Sequence, residues 1–212
     1  MMAPRDRAYA VAALDVSRET LDRLDRYAGV IGTWQRMLNL VAPSTLPQLW
    51  TRHILDSAQL VDLVPATARR WVDLGSGGGF PALVVAAMAA DRIGFETILV
   101  ESDQRKAAFL RTAAREMGLG DRVLIRALRA EEAVPAIGEA DVVSARALAP
   151  LADLARLSAP LLARGALGVY PKGESIRREL TEWGPPDRFD VSLAPSRTHP
   201  SAAIALVRMR AE

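Results

Sequence analysis

Apolar positions along the chain change their period once, near residue 70. Before that point the spacing is helical. From Ser17, a candidate N-cap, apolar residues fall at Leu21, Leu24, Ala28, Ile31, Trp34 and Leu38, with Asp22, Arg23, Asp25 and Arg26 off the stripe. This predicts one helix stopped by Pro43. A second helix is expected to start near Ser44–Pro47 and to run to Val64, where Pro65 ends it. Residues 1–16 carry little pattern and are expected to fray. A helical stretch of about 65 residues without strands can hardly bury a core alone, so residues 1–68 are expected to extend a larger unit.

After residue 70, short apolar runs alternate with helical stretches. Strands are expected at Trp71–Leu74, Thr97–Val100, Arg122–Leu128, Asp141–Ser144, Ala166–Tyr170, Phe189–Leu193 and Ala203–Arg208. Between them lie helices at Leu83–Ala90, Gln104–Met117, Glu131–Ile137, Leu151–Leu162 and Glu174–Trp183. In the second of these, Ala107, Ala108, Leu110 and Ala114 are available for packing. Repeated strand–helix units imply an α/β fold with a seven-stranded, mostly parallel sheet covered on both faces. Residues 69–212 form this core, and with the extension it is expected to make one compact unit.

Composition removes some chemistries. The sequence has no cysteine, which excludes disulfides, a thiolate nucleophile and cysteine zinc sites. It has two histidines, too few for a histidine metal cluster, and no metal is expected. No apolar run reaches the ~18–20 residues that span a bilayer, and the first residues lead into no apolar signal core, so a cytoplasmic location without membrane attachment is expected. The net charge of +2 and pI near 9.4 permit nucleic-acid binding without arguing for it. Of the 27 basic side chains only Lys106 and Lys172 are lysine.

The chemistry centres on Trp71–Pro81, a strand followed by glycines at 75, 77, 78 and 79 and a helix start at Pro81. Glycines let the backbone approach a ligand, and a helix start offers unpaired N–H groups. The loop lacks the Gly-x-Gly-x-x-Gly spacing of a dinucleotide site and the Gly-Lys-Ser/Thr of a phosphate loop. Asp73 before it would repel a pyrophosphate but suits a cationic group. Glu101, ending the next strand, can accept both ribose hydroxyls, and Glu131 after the third strand can meet an adenine edge. Together with Gly75 and Gly77 these marks describe an adenosine-bearing ligand without a phosphate grip. S-adenosylmethionine fits better than NAD or ATP.

The fourth strand end, Ser144-Ala-Arg146-Ala, lacks the Asn/Asp-Pro-Pro-aromatic motif of amino-methylating enzymes. Without that motif and without cysteine, the acceptor must need little help. Guanine N7, with an in-plane lone pair and no proton to lose, is such an acceptor, and no general base is expected. Arg146 can fix a cofactor carboxylate or an RNA group, or form a structural salt bridge. Lys172, at the fifth strand end, can contact phosphate or base, or be an ordinary surface lysine. His53, Asp56 and Ser57 suggest a hydrolase triad, but they crowd into five residues without a nucleophile elbow. A helix-surface or docking contact is the preferred reading for that group.

Asn39-Leu40, Arg52-His-Ile-Leu-Asp-Ser57, Asp73-Leu-Gly-Ser-Gly-x-Gly-Phe-Pro81, Arg129-Ala-Glu131, Ser144-Ala-Arg-Ala and Lys172-Gly173 occur in that order. Over roughly residues 17–175 this pattern resembles the RsmG (GidB) family of bacterial ribosomal RNA methyltransferases. The resemblance implies a class I, Rossmann-like fold and S-adenosylmethionine as methyl donor, with S-adenosylhomocysteine as product. It also implies methylation of guanine N7 in 16S RNA, free or in the small subunit, by a protein expected to be monomeric. By motif position it assigns cofactor contact to Gly75, Phe80, Ala130, Glu131 and Arg146. Ala82 stands where the family often has glycine, and Leu40-Val-Ala follows Asn39 where threonine often follows the leucine. Two other readings compete: a non-catalytic RNA- or ribosome-binding protein with a vestigial cradle, and a small-molecule methyltransferase.

Overall fold

The computed structural model describes residues 4–210. Its N-terminal part differs from expectation in three places. Residues 1–3 lie outside the described residues, but from Pro4 the chain forms helix α1 (Pro4–Ala13). This helix has no strong apolar stripe of its own, which is why its pattern is faint. Tertiary contacts hold it: Ala10 is buried, and Arg7 forms a two-pronged pair with Asp25, at 2.7 and 2.6 Å. Helix α2 (Arg18–Trp34) starts at the expected cap, where Ser17 Oγ accepts the Thr20 N–H. It stops well before Pro43 because the Gln35 side chain captures the next backbone groups. Its amide donates to Val41 O, and its oxygen accepts the N–H groups of Leu40 and Val41.

The second expected helix is broken into four turns. A 3₁₀ segment (Pro43–Gln48) leads into a π turn (Trp50–Leu55), one α turn, α3 (Asp56–Ala58), and a second 3₁₀ segment (Gln59–Leu63). Pro47 removes one donor. Asp6 of α1 takes two more, accepting the backbone N–H groups of Trp50 and Thr51. Donors diverted this way cannot close a regular α ladder.

The remainder is a seven-stranded sheet in the order β3-β2-β1-β4-β5-β7-β6. Strands β1 (Arg70–Leu74), β2 (Glu96–Val100), β3 (Val123–Arg126), β4 (Val142–Ala145) and β5 (Leu167–Lys172) are parallel. Strand β7 (Ala203–Met209) runs antiparallel to β5 and to the edge strand β6 (Phe189–Pro195). Helices α4 (Ala82–Met88), α5 (Gln104–Glu116), α6 (Ala130–Ile137), α7 (Leu151–Leu162) and α8 (Ile176–Trp183) connect them.

Alternate residues of each strand feed different layers. Leu99 packs with α4, α5, α2 and the π turn, through Leu83, Phe109, Ile31 and Trp50. Its neighbours Ile98 and Val100 pack with α6 and α7, through Val134, Leu154 and Leu161. In α5 the buried residues are Ala107, Phe109, Leu110, Ala113 and Ala114, whereas Ala108, expected to pack, is exposed. Strand order turns back on itself between β1 and β4. Such a switch point leaves a crevice outside the carboxyl ends of the strands, where ligands bind on open α/β sheets.

Candidate functional site

That crevice is a cleft of about 530 Å³ lined by the loops that follow β1 to β4. Its floor is the glycine loop. Gly75 and Gly77 take left-handed conformations, φ +67° and +51°, which glycine adopts without steric penalty. A β-carbon at Gly77 would have only the Gly75 carbonyl oxygen nearby, at 3.8 Å. The other two glycines serve the protein itself. A β-carbon at Gly78 would lie 2.7 Å from the Leu40 carbonyl oxygen, and one at Gly79 would strike Leu83 and the Tyr27 hydroxyl. The Tyr27 hydroxyl donates to Gly78 O. A β-carbon at Gly75 would meet the Leu148 side chain, which also lines the cleft, at 2.7 Å. Gly77 therefore opens the cradle, and Gly78 and Gly79 let the N-terminal segment close against its back.

Glu101 stands at the end of β2 and is largely buried. Its two carboxylate oxygens accept the N–H groups of Gly77 and Asp103, each at 2.8 Å. This anchoring holds the loop open and leaves each oxygen further lone-pair capacity for a ligand hydroxyl. Ala130 and the exposed Glu131 begin α6 on the opposite rim. Leu128 and Leu148 also line the cleft and are unusually exposed for large apolar side chains, 45% and 41%. Sequence reading passed over both. An apolar residue just beyond a strand end was the available signal.

Beneath the loop, Asp73 is fully buried. The Trp71 indole donates to Ser144 Oγ at 2.7 Å, and Ser144 Oγ–H donates to Asp73 Oδ1 at 2.6 Å. Asp73 Oδ2 has no partner among the described residues. Burial pushes this carboxyl up to about 7, against the hydrogen bond from Ser144, the nearby Ser76 hydroxyl and the Arg146 charge, with Glu101 adding to the rise. An orphaned acceptor that ionises poorly alone is matched to a cationic ligand group.

Arg146 follows β4, and with Ala147 it forms a wall shared by this cleft and a second one of about 710 Å³. Its guanidinium lies over the Phe80 ring, 5.0 Å from the centroid, and Nη1 is 3.8 Å from Asp56 Oδ2. Nη2 is 2.6 Å from His53 Nδ1. Ala147, which follows it, has φ +54°, uncommon for a residue with a β-carbon. His53 and Asp56 thus face inward, and the helix-surface reading of the pair gives way. The π turn is the reason: it widens the helix and swings His53 onto Phe80, with ring centroids 5.1 Å apart. The triad is also dismissed by geometry. Ser57 is buried, and its hydroxyl donates to the His53 carbonyl at 2.6 Å rather than to the imidazole.

Asp56 Oδ1 accepts from Gln59 at 2.9 Å and from Thr198, tying the π turn to the β6–β7 loop. Lys172 is no ordinary surface lysine. Its side chain is mostly buried, pairing with Glu179 at 2.7 Å and donating to Ala149 O at 3.0 Å, and it lines the second cleft. Among the described residues no group of three His, Cys, Asp or Glu side chains is arranged to hold a metal ion, and no helix is long and apolar enough to cross a membrane.

The strand order, the glycine cradle and the carboxylate at the end of β2 fit a Rossmann-like methyltransferase. An O-methyltransferase from Bacillus cereus, solved in complex with SAH, shares this fold: TM-score 0.63 and 15% identity, covering 95% of this chain and 96% of that one. Closer in sequence is ribosomal RNA small subunit methyltransferase G of Parvibaculum lavamentivorans, 48% identical over 93% of this chain and 86% of that protein. The protein of the same name from Methylobacterium radiotolerans is 46% identical over 97% and 96%. The family model GidB, rRNA small subunit methyltransferase G, matches residues 20–185, and the chain belongs to that family.

Proposed function

We propose that this protein transfers a methyl group from S-adenosylmethionine to N7 of a specific guanosine in 16S ribosomal RNA. Arg146 carries the reading, because it walls a cleft suited to an adenosyl ligand from a second cleft able to admit a base. The residues fit the cofactor. Gly77 gives it backbone room, and Gly75 does so once the Leu148 side chain moves aside. Glu101 and Glu131 offer acceptors to its sugar and base. Asp73, fully buried behind the cleft lining, holds the orphaned Oδ2 that its ammonium end would reach beneath the glycine loop. Phe80 and Ala130 supply apolar contact, and Arg146 a donor for its carboxylate.

When bound, S-adenosylmethionine supplies an electrophilic methyl group. The protein's own contribution is orientation and charge. Guanine N7 has a lone pair in the ring plane and no proton to lose, so a site without a free general base suffices. Beside Arg146 the second cleft has that character, while Glu174 and His199 stand exposed elsewhere in its lining. His53 is held by Arg146 and Thr45, and Asp56 by Thr198, Gln59 and the Arg146 charge. Residues 1–68 act as an extension that completes this second cleft on the 69–212 core. Ribosomal RNA is then the partner of a cytoplasmic, monomeric protein that needs neither a metal nor a membrane.

The test is incubation with S-adenosylmethionine labelled in its methyl group, offering 16S RNA and small subunits as acceptors. Label in the RNA is the expected result. Heat on titrating S-adenosylhomocysteine with no label in either acceptor would replace an RNA acceptor with a small molecule. No heat at all would favour a vestigial cradle.

A further inference from the structure

His53 is bonded at both ring nitrogens, and each end dictates the same tautomer. Arginine has no acceptor, so the 2.6 Å contact requires an unprotonated His53 Nδ1 that accepts from Arg146 Nη2. At the other end, Thr45 Oγ1 is 2.8 Å from His53 Nε2 and donates its only proton to Ala42 O, also at 2.8 Å. The hydroxyl must then accept, so Nε2 carries the hydrogen. Arg146 to His53 to Thr45 to Ala42 is one directed chain of hydrogen bonds. Burial, then the charges of Arg146 and Arg52, push the imidazole down to about 3, so it stays neutral across the working range.

The backbone under this chain is clamped on both sides. Asp6 holds the start of the π turn through Trp50 N and Thr51 N. Asp56, just past its end, is held by Thr198 and Gln59. Phe80 stacks against both His53 and Arg146. An irregular helical turn at a functional site is a recurrent device for aiming a side chain. Here it delivers an acceptor to one edge of a guanidinium that borders two clefts. An unguided arginine would pair more closely with Asp56, whose Oδ2 stands 3.8 Å away.

We propose that His53 is a positioning residue: fixed as its Nε2–H tautomer by Thr45, it accepts one hydrogen of Arg146 and so aims the remaining donors of that guanidinium at the cofactor and the target base. This rests on the functional reading above, but part of its test does not.

In cofactor-free protein, ¹⁵N-imidazole NMR should show His53 with an Nε2–H and a bare Nδ1, unchanged from pH 8 to pH 5. An Nδ1–H tautomer, or protonation above pH 5, overturns the proposal whether or not the protein methylates RNA. In the methylation assay, His53→Leu should lower kcat/KM about 10- to 100-fold, the range of a charge-assisted hydrogen bond. His53→Asn, which returns an oxygen acceptor to the Nδ1 position, should recover most of that loss. Thr45→Val should shift the tautomer balance seen by NMR. Because His53 acts through Arg146, the double variant His53→Leu/Arg146→Ala should be no slower than Arg146→Ala alone, within about twofold. Additive losses, or an Asn variant as poor as the Leu variant, would reduce His53 to packing.

Discussion

Replacing Asp73 with Asn tests the cradle through two effects of opposite character. The carboxyl is raised from its ordinary 3.8 to about 7, about 3 pH units, and each unit corresponds to 1.36 kcal/mol. Its ionisation in the cofactor-free fold is therefore opposed by about 4 kcal/mol. The sign follows from proton numbers. Between pH 4 and pH 7 the native state holds this proton and the unfolded state has released it, so stability from this group is full below pH 4 and falls as pH rises to about 7. Asn does not titrate, so Asp73→Asn should lack this decline, and the difference between variant and wild type should grow across that window. Binding should move the other way. A cationic group loses a charged acceptor worth about 1.5–3 kcal/mol, which lowers affinity about 10- to 100-fold. Wild-type affinity should rise with pH through about 7, with proton release visible as a buffer-dependent heat. Urea denaturation from pH 4 to pH 8 reads the first effect, and calorimetry with S-adenosylhomocysteine the second. Parallel pH profiles for the two proteins, or undiminished binding by the variant, would refute the reasoning.

Other changes separate the loop's duties. Gly78→Ala drives a β-carbon to 2.7 Å from the Leu40 carbonyl oxygen, so thermal melting should show a loss of about 1–3 kcal/mol as the N-terminal segment shifts. Glu101→Gln leaves one oxygen to serve the N–H groups of Gly77 and Asp103. It should weaken S-adenosylhomocysteine binding at least about tenfold by calorimetry, because a charge-assisted anchor is lost. Lys172→Met removes the counter-charge of Glu179 but leaves it the hydrogen bonds from Leu151 N and Ser175 Oγ. It should lower stability by about 1.5–3 kcal/mol in denaturant titrations, and a variant as stable as wild type would return Lys172 to the surface role.

The sheet was legible because the central parallel strands, buried on both faces, write short apolar runs and the half-exposed edge strands still carry apolar positions, and each run found a strand with ends shifted by two residues or fewer. The glycine turn was legible because its residues are contiguous, whereas the Glu101 anchor on Gly77, 24 residues on, shows only in the fold. The N-terminal turns were not legible. Asp6 and Gln35 redirect backbone donors through contacts that no periodicity records. The partners of His53 were hidden for the same reason: Arg146 lies 93 residues away, and only the fold brings its guanidinium to the imidazole. Asp73 was read as suited to a cation, but its orphaned oxygen and raised ionisation follow from complete burial.

The most direct measurement is the identity of the methylated nucleoside. Small-subunit RNA treated with the protein and S-adenosylmethionine, digested and separated by mass spectrometry, should yield 7-methylguanosine, and Arg146→Ala should sharply reduce that yield. Methyl groups appearing only on an exocyclic nitrogen, a ring carbon or a ribose would contradict an acceptor that reacts without a base.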